Sequence, residues 1–154
     1  EVIPMYDKTI TVFNKYVNQK DEIFWYPTVI KGVQLIVDKS ANIEKTGLDT
    51  ADTATLHVLY HMASDEKVVA GKKYLEPKKW VKQINDTLGH TVTFASGDFF
   101  IEGEHDEKMI ADEDYQSRRD GGFYDYMNKN HDNVFLITNV GTYTLIPHFE
   151  IGGK

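Results

Sequence analysis

Apolar positions in this chain fall in short runs separated by turn signals, which is a strand-rich pattern. Residues 9–16 (TITVFNKY) are β-branched and aromatic and predict a strand. Residues 18–21 form a polar turn, and 23–30 (IFWYPTVI) predict a second strand. Pro27 lacks a ladder donor, so that strand is expected at an edge or with a bulge there. Past Gly32 the strand resumes, with Val33, Leu35 and Val37 on one face and Gln34 and Asp38 on the other. Residues 55–62 alternate in the same way. Leu56, Val58, Tyr60 and Met62 share one face; Thr55, His57, Leu59 and His61 share the opposite one.

The second half mixes periods. Residues 76–84 predict a short helix, with Pro77 in its first turn and Trp80, Val81 and Ile84 as an apolar stripe. Gly89 ends the segment after that helix. Residues 91–94 read as a short strand, 95–98 as a turn and 99–101 as the start of another strand. Residues 123–130 predict a second helix, with Phe123, Tyr126 and Met127 on one face. The strongest strand is 134–140 (VFLITNV); Gly141 marks a hairpin turn, and 143–151 returns with Pro147 as a bulge or edge marker. The sum is about seven or eight strands and two short helices, a mainly β fold. A small antiparallel β-barrel or sandwich is expected, as a single domain over 1–154 with extended loops at 39–54 and 102–122.

Composition narrows the function classes. A 154-residue chain with 41% hydrophobic residues has the length and apolar content of one ordinary globular domain. It has no cysteine, which removes disulfides, thiolate metal sites and a cysteine nucleophile together. A formal net charge of −7 argues against general affinity for nucleic acid or an anionic membrane, without excluding a non-adhesive wall around DNA. No run approaches the roughly 18 apolar residues of a membrane span. The first residues carry neither the basic nor the apolar region of a signal peptide, so none is expected.

Candidate chemistry is sparse. His57 and His61 would stand about 13 Å apart on a regular strand, too far for one metal ion. Glu102, Glu104 and Asp106, with His105 between them, alternate as calcium ligands do, but the rest of a calcium loop is missing. No nucleophile elbow, phosphate loop or dinucleotide fingerprint occurs, and Gly97-Asp98 reads as a turn rather than a catalytic aspartate. No enzyme activity, metal or cofactor is expected. Arg118 and Arg119 sit in the long acidic segment, either paired locally or forming an arm that docks on a neighbour. The aromatic run Phe24-Trp25-Tyr26 puts rings on both faces of one strand, which points to a neighbouring subunit covering one of them. Trp25, Tyr26, Glu104, His105, Asp106, Arg118 and Arg119 are therefore the candidate subunit contacts.

Four segments carry a resemblance: Trp25 to Val33 (WYPTVIKGV), Tyr74 to Trp80 (YLEPKKW), Gly97 to Gly103 (GDFFIEG), and Val134 to Lys154. In this order they resemble small proteins of the head–tail gene modules of tailed phages and prophages of Gram-positive bacteria: minor capsid, head completion or stopper-like proteins. The resemblance implies a small β-barrel subunit of a ring, six or twelve copies between portal and tail, around a channel through which DNA passes without specific binding. It implies portal or adaptor and tail-tube or tail-terminator proteins as partners. It also implies a place at the head–tail interface of the virion, after assembly in the bacterial cytoplasm. It carries no catalytic residues. A tail-associated domain that binds a ligand or glycan is the alternative.

Overall fold

A computed structural model of the chain describes residues 5–39, 52–105, 107–116 and 121–154. In chain order the strands and helices are β1 (Lys8–Val17), β2 (Ile23–Asp38), β3 (Thr53–Leu59), β4 (His61–Ala63), β5 (Glu66–Val69), β6 (Lys72–Tyr74), α1 (Pro77–Trp80), α2 (Asn85–Leu88), β7 (Thr91–Val92), β8 (Phe99–Glu102) and β9 (Ile110–Ala111). A 3-10 turn (Asp112–Tyr115), α3 (Phe123–Asn130), β10 (Val134–Tyr143) and β11 (His148–Gly153) complete the set.

Six of the strands close on themselves. The order β1-β8-β10-β11-β3-β2 is antiparallel throughout, and β2 pairs back onto β1. The ladder leaves β2 at Pro27, opposite Phe13, and returns to it at Val37, opposite Ala54. That stagger tilts the strands and makes a barrel. The fold is thus mainly β and a barrel, not a sandwich.

Strict alternation builds the wall. In β3, Ala54, Leu56 and Val58 are buried and the residues between them face outward; in β11, Phe149, Ile151 and Gly153 are buried. Gly153 has to be glycine, because a Cβ there would stand 2.8 Å from the Cβ of Phe135 and 3.1 Å from the Phe100 ring. The two segments of β2 are one strand. Gly32 takes φ +72°, where the β1–β2 register shifts, and this bulge puts Val33 back on the interior face. Pro27 lies where β2 pairs only with β1, between the contacts with β9 and β3, so it faces an open edge as expected.

Two apolar clusters result. The inner one fills the barrel with Ile10, Val12, Leu56, Val58, Phe100, Phe135, Phe149 and Ile151. One end is closed by the small sheet β4-β5-β6-β7, whose Tyr74 ring lies 4.5 Å from Phe149 and 5.7 Å from Phe94. The outer cluster lies between the barrel wall and α3: Phe13, Trp25, Phe99, Ile101, Phe123, Met127 and Val134. Both halves of the chain contribute to each cluster, which binds them into one body.

Several local expectations are corrected. Residues 66–69 and 72–74 form strands where none was expected. Short exposed hairpin arms carry little apolar alternation to announce them. The helix at 76–84 is a single turn followed by a second turn at 85–88. Trp80 is buried, but Val81 and Ile84 are 50% and 73% exposed, so the stripe does not pack. Met62 is likewise exposed, because the alternating run breaks after Leu59. The 102–122 segment is not a plain loop: it carries β9 and the 3-10 turn. The 39–54 segment is shorter than expected, since β3 starts at Thr53, and 40–51 lie outside the described residues. The last hairpin turns at 144–147 rather than at Gly141, which stays in β10 opposite Glu150.

Candidate functional site

The β10–β11 hairpin projects an apolar tip. Leu145 is 96% exposed, Ile146 67% and Tyr143 48%. Pro147 comes next and has no donor to extend the ladder, so the turn is forced where two large apolar residues stand side by side. The tip is held firmly. The Tyr60 hydroxyl donates to the Tyr143 carbonyl at 3.0 Å, and the Tyr60 N–H donates to the Pro147 carbonyl at 3.3 Å. His148 Nδ1 lies 2.6 Å from the Ile146 carbonyl, a bond that fixes the proton on Nδ1. The Tyr143 and His148 rings stack at 4.9 Å. A turn with this many fixed points presents Leu145 and Ile146 at little entropic cost to binding.

Next to the tip, on the outer wall, His57 lies 3.8 Å from the Glu150 carboxylate and its ring 5.5 Å from that of His148. His61, expected on the same strand as His57, is on β4, beyond the break at Tyr60. Among the described residues, no three of His, Asp and Glu converge as a metal site would require.

Two surface hollows accompany the tip. One, of about 520 Å³, lies between the end of β1 and the segment joining α1 to α2; Val17, Val81 and Ile84 line it together with Tyr16, Asn18, Gln19, Lys82 and Gln83. The other, of about 420 Å³, is polar and brings together Lys39, His131, Asn133 and Lys154. Lys39 there donates to Asn133 at 3.2 Å and pairs with Asp52 at 3.3 Å.

The expected contact residues fare unevenly. Trp25 is only 4% exposed; its indole N–H donates to Asp112 at 2.8 Å and its ring lies 5.0 Å from Phe99. Tyr26 packs edge-on against Trp80 at 5.9 Å and Tyr16 at 6.3 Å. Trp25 is thus covered by the chain's own α3, while Phe24 and Tyr26 stay half-buried. Glu104 is exposed and stands 3.7 Å from Lys31, a surface pair of little energetic weight. His105 ties its segment to β1: its N–H donates to Thr11 Oγ1 at 2.9 Å, and Thr11 donates onward to the Gly103 carbonyl at 2.9 Å. Glu102, the first of the alternating acids, accepts from Asn133 at 2.8 Å. Asp106, Arg118 and Arg119 lie outside the described residues.

Among the described residues two carboxylates are buried, Asp98 and Asp112, and each accepts three hydrogen bonds. Asp98 accepts from the Lys15 N–H at 2.9 Å, Asn14 Nδ2 at 2.9 Å and the Ala95 N–H at 3.1 Å. It therefore stitches β1 to the turn before β8. Burial pushes its carboxyl up to about 7, against the pull of those three donors. Asp112 accepts from Trp25 Nε1 and the Phe123 N–H at 2.8 Å each and from Gln116 Nε2 at 2.9 Å. Burial pushes its carboxyl up as well, but the hydrogen bonds outweigh it and the net shift is downward. Lys72, in the Gly71-Lys72-Lys73 run that lacks a phosphate-loop pattern, turns inward and donates to Thr28 Oγ1 at 3.0 Å; burial lowers its ammonium.

The tip itself was missed in the sequence. The signal was present in Thr144-Leu145-Ile146-Pro147: adjacent apolar residues cannot both face a barrel interior, and the proline ends the strand.

A family model spanning residues 5–154 matches, which takes in the whole barrel, its end cap and α3. The chain belongs to the Family of unknown function (DUF6751). No curated protein and no solved structure matches it. The DUF6751 match treats barrel, cap and hairpin as one unit, in keeping with the two cores that join both halves of the chain.

Proposed function

We propose that the chain is a structural subunit of a tailed-phage neck: a head completion or stopper-like connector, arranged as a ring of six or twelve copies between portal and tail. The observation that carries this reading is a contrast in where apolar surface goes. The barrel interior is filled by its own rings, with Phe94, Phe100, Phe135 and Phe149 all at 3% exposure or less, while Leu145 and Ile146 are held outward on a rigid hairpin. A filled barrel leaves no room for a ligand at its centre, and an outward apolar tip suits contact with a partner. The buried carboxylates serve the wall, in line with a scaffold rather than an enzyme. The net charge of −7 fits a channel lining that repels the phosphates moving past it.

The test is reconstitution with the portal and tail proteins of a tailed phage whose genome encodes this chain, viewed by electron microscopy. Ring-shaped density at the head–tail junction that disappears when this chain is omitted supports the reading. A chain that neither self-associates nor joins the junction contradicts it.

The polar hollow around Lys39, His131, Asn133 and Lys154 favours a second reading, a tail-associated glycan-binding domain. Saturable heat on titration with host-wall oligosaccharides, lost in Asn133→Ala, would favour that reading over the connector.

A further inference from the structure

We propose that Asn14 and Asp98 form a proton-operated latch between β1 and the small sheet that closes the barrel: with Asp98 ionised the Asn14 amide holds Thr93, and with Asp98 protonated it lets go. The inference stands apart from the connector reading.

The latch sits where a ladder runs out. β8 ends at Phe99, opposite Phe13, so from Asn14 onward β1 has no strand on its β8 side. The Asp98 side chain takes over there. One oxygen accepts from the Lys15 N–H at 2.9 Å; the other accepts from Asn14 Nδ2 at 2.9 Å and from the Ala95 N–H at 3.1 Å. Asn14 is fully buried and also reaches Thr93. Its Nδ2 donates to the Thr93 carbonyl at 2.6 Å, and its Oδ1 accepts from the Thr93 N–H at 3.4 Å. Thr93 directly follows β7, so one side-chain amide joins the barrel wall to the end of the small sheet.

All three groups bonded to the carboxylate are N–H donors, which suits an ionised acid. A protonated carboxyl has to donate its own O–H. Of the three side chains and backbone groups in place, Asn14 alone can become the acceptor, by turning its amide over. The turned amide sets its oxygen against the Thr93 carbonyl and its nitrogen against the Thr93 N–H. Both bonds to Thr93 are then broken. Thr93 is buried, so its freed backbone groups are costly to leave unpaired and the segment has to shift.

Among the described residues, the titratable groups that act on Asp98 are Lys15 on β1, whose ammonium favours the ionised form, and Tyr74 on β6. The Tyr74 phenol is itself pushed up to about 12 and stays neutral throughout. Burial outweighs Lys15 and the three donors and brings the Asp98 carboxyl to about 7, so the latch turns near neutrality. The loosening is local to Thr93; the fold as a whole still gains from losing a buried charge.

The test is NMR on the isotope-labelled wild-type chain, from about pH 5 to about pH 9. The Asp98 carboxyl carbon is expected to titrate near 7, and the Asn14 side-chain amide and the Thr93 N–H to shift with the same midpoint. Thr93 N–H exchange, corrected for its intrinsic pH dependence, should be about tenfold faster on the acid side. In Asp98→Asn, which has no proton to titrate, these changes vanish; should that variant not fold, the wild-type titration decides alone. An Asp98 carbon that titrates in the ordinary carboxylate range or below overturns the latch. A midpoint near 7 with Asn14 and Thr93 unmoved overturns it too, and leaves a buried acid without a switch. Shifts that persist in folded Asp98→Asn also overturn it, and assign them to another group.

Discussion

On the outer wall of the barrel, Phe13, Trp25, Phe99 and Phe123 pack ring against ring at 4.8 to 6.4 Å. At the end of the β10–β11 hairpin, Leu145 and Ile146 touch almost nothing. Both groups are apolar and both lie outside the barrel. The difference is that, among the described residues, the chain supplies a lid for the first and none for the second. Asp112 fastens that lid: one oxygen accepts from Trp25 on the wall and from the first N–H of α3, so wall and helix share a single carboxylate. A residue run that looks like a partner surface can thus be used up within its own chain, while a plain turn carries the surface left open.

Removing the ring at the centre of the lidded region should cost most. Trp25→Ala is expected to lose about 3–5 kcal/mol in denaturant unfolding, because it opens a cavity and strands the Asp112 carboxylate. A loss below about 1 kcal/mol would mean that α3 is not anchored there.

The buried carboxylates extend the comparison by pH. Asp98 has its carboxyl raised above the unfolded value, to about 7. Its contribution is therefore fully present below about pH 4 and is lost as pH rises towards 7, by at most roughly 4 kcal/mol. Asp112 is shifted the opposite way, so its contribution holds above the ordinary carboxylate range and is lost only in stronger acid. Melting temperature followed from pH 4 to 8 should fall in the wild type and run flatter in Asp98→Asn. A wild-type profile that rises across this interval would show that the three donors to Asp98 outweigh its burial.

Asp112→Ala leaves the Trp25 and Phe123 N–H groups without an acceptor and should cost about 2–3 kcal/mol. Asp112→Asn can keep its oxygen on both and give up only the exposed Gln116 amide, so its loss should be about 1 kcal/mol. Equal losses would say that charge, not acceptor geometry, holds the lid.

At the tip the expectation reverses. Leu145→Ser should change stability by no more than about 0.5 kcal/mol, since Leu145 is almost fully exposed. A larger loss, read from the same unfolding curves, would place the tip in the chain's own core.

The barrel was legible in the sequence because its wall obeys alternation. Ala54-Leu56-Val58 and Phe149-Ile151 show the period of two directly, and α3 begins and ends where its stripe and flanking residues place it. What alternation left open was barrel against sandwich, because that choice depends on β2 meeting both β1 and β3 through the Gly32 bulge, a long-range fact with a one-residue local sign. The short arms β5 and β6 escaped for the reason that exposed hairpins carry weak patterning. The lid escaped because Asp112 and Trp25 are 87 positions apart, and nothing local marks them as partners. The His57–Glu150 and His57–His148 contacts are cross-strand neighbours of the same kind, brought together only when β3 pairs with β11.

The central claim is that the apolar surface left open on this fold is completed by other protein molecules in a ring. The most direct measurement is solution mass of the wild-type chain and of Leu145→Asp, each alone and mixed with the portal and tail proteins that the proposed role calls for. The expected result is ring-sized mass for the wild type and single-chain mass for the variant, at the same melting temperature. Identical single-chain masses for both, at every concentration and with every partner, would contradict it.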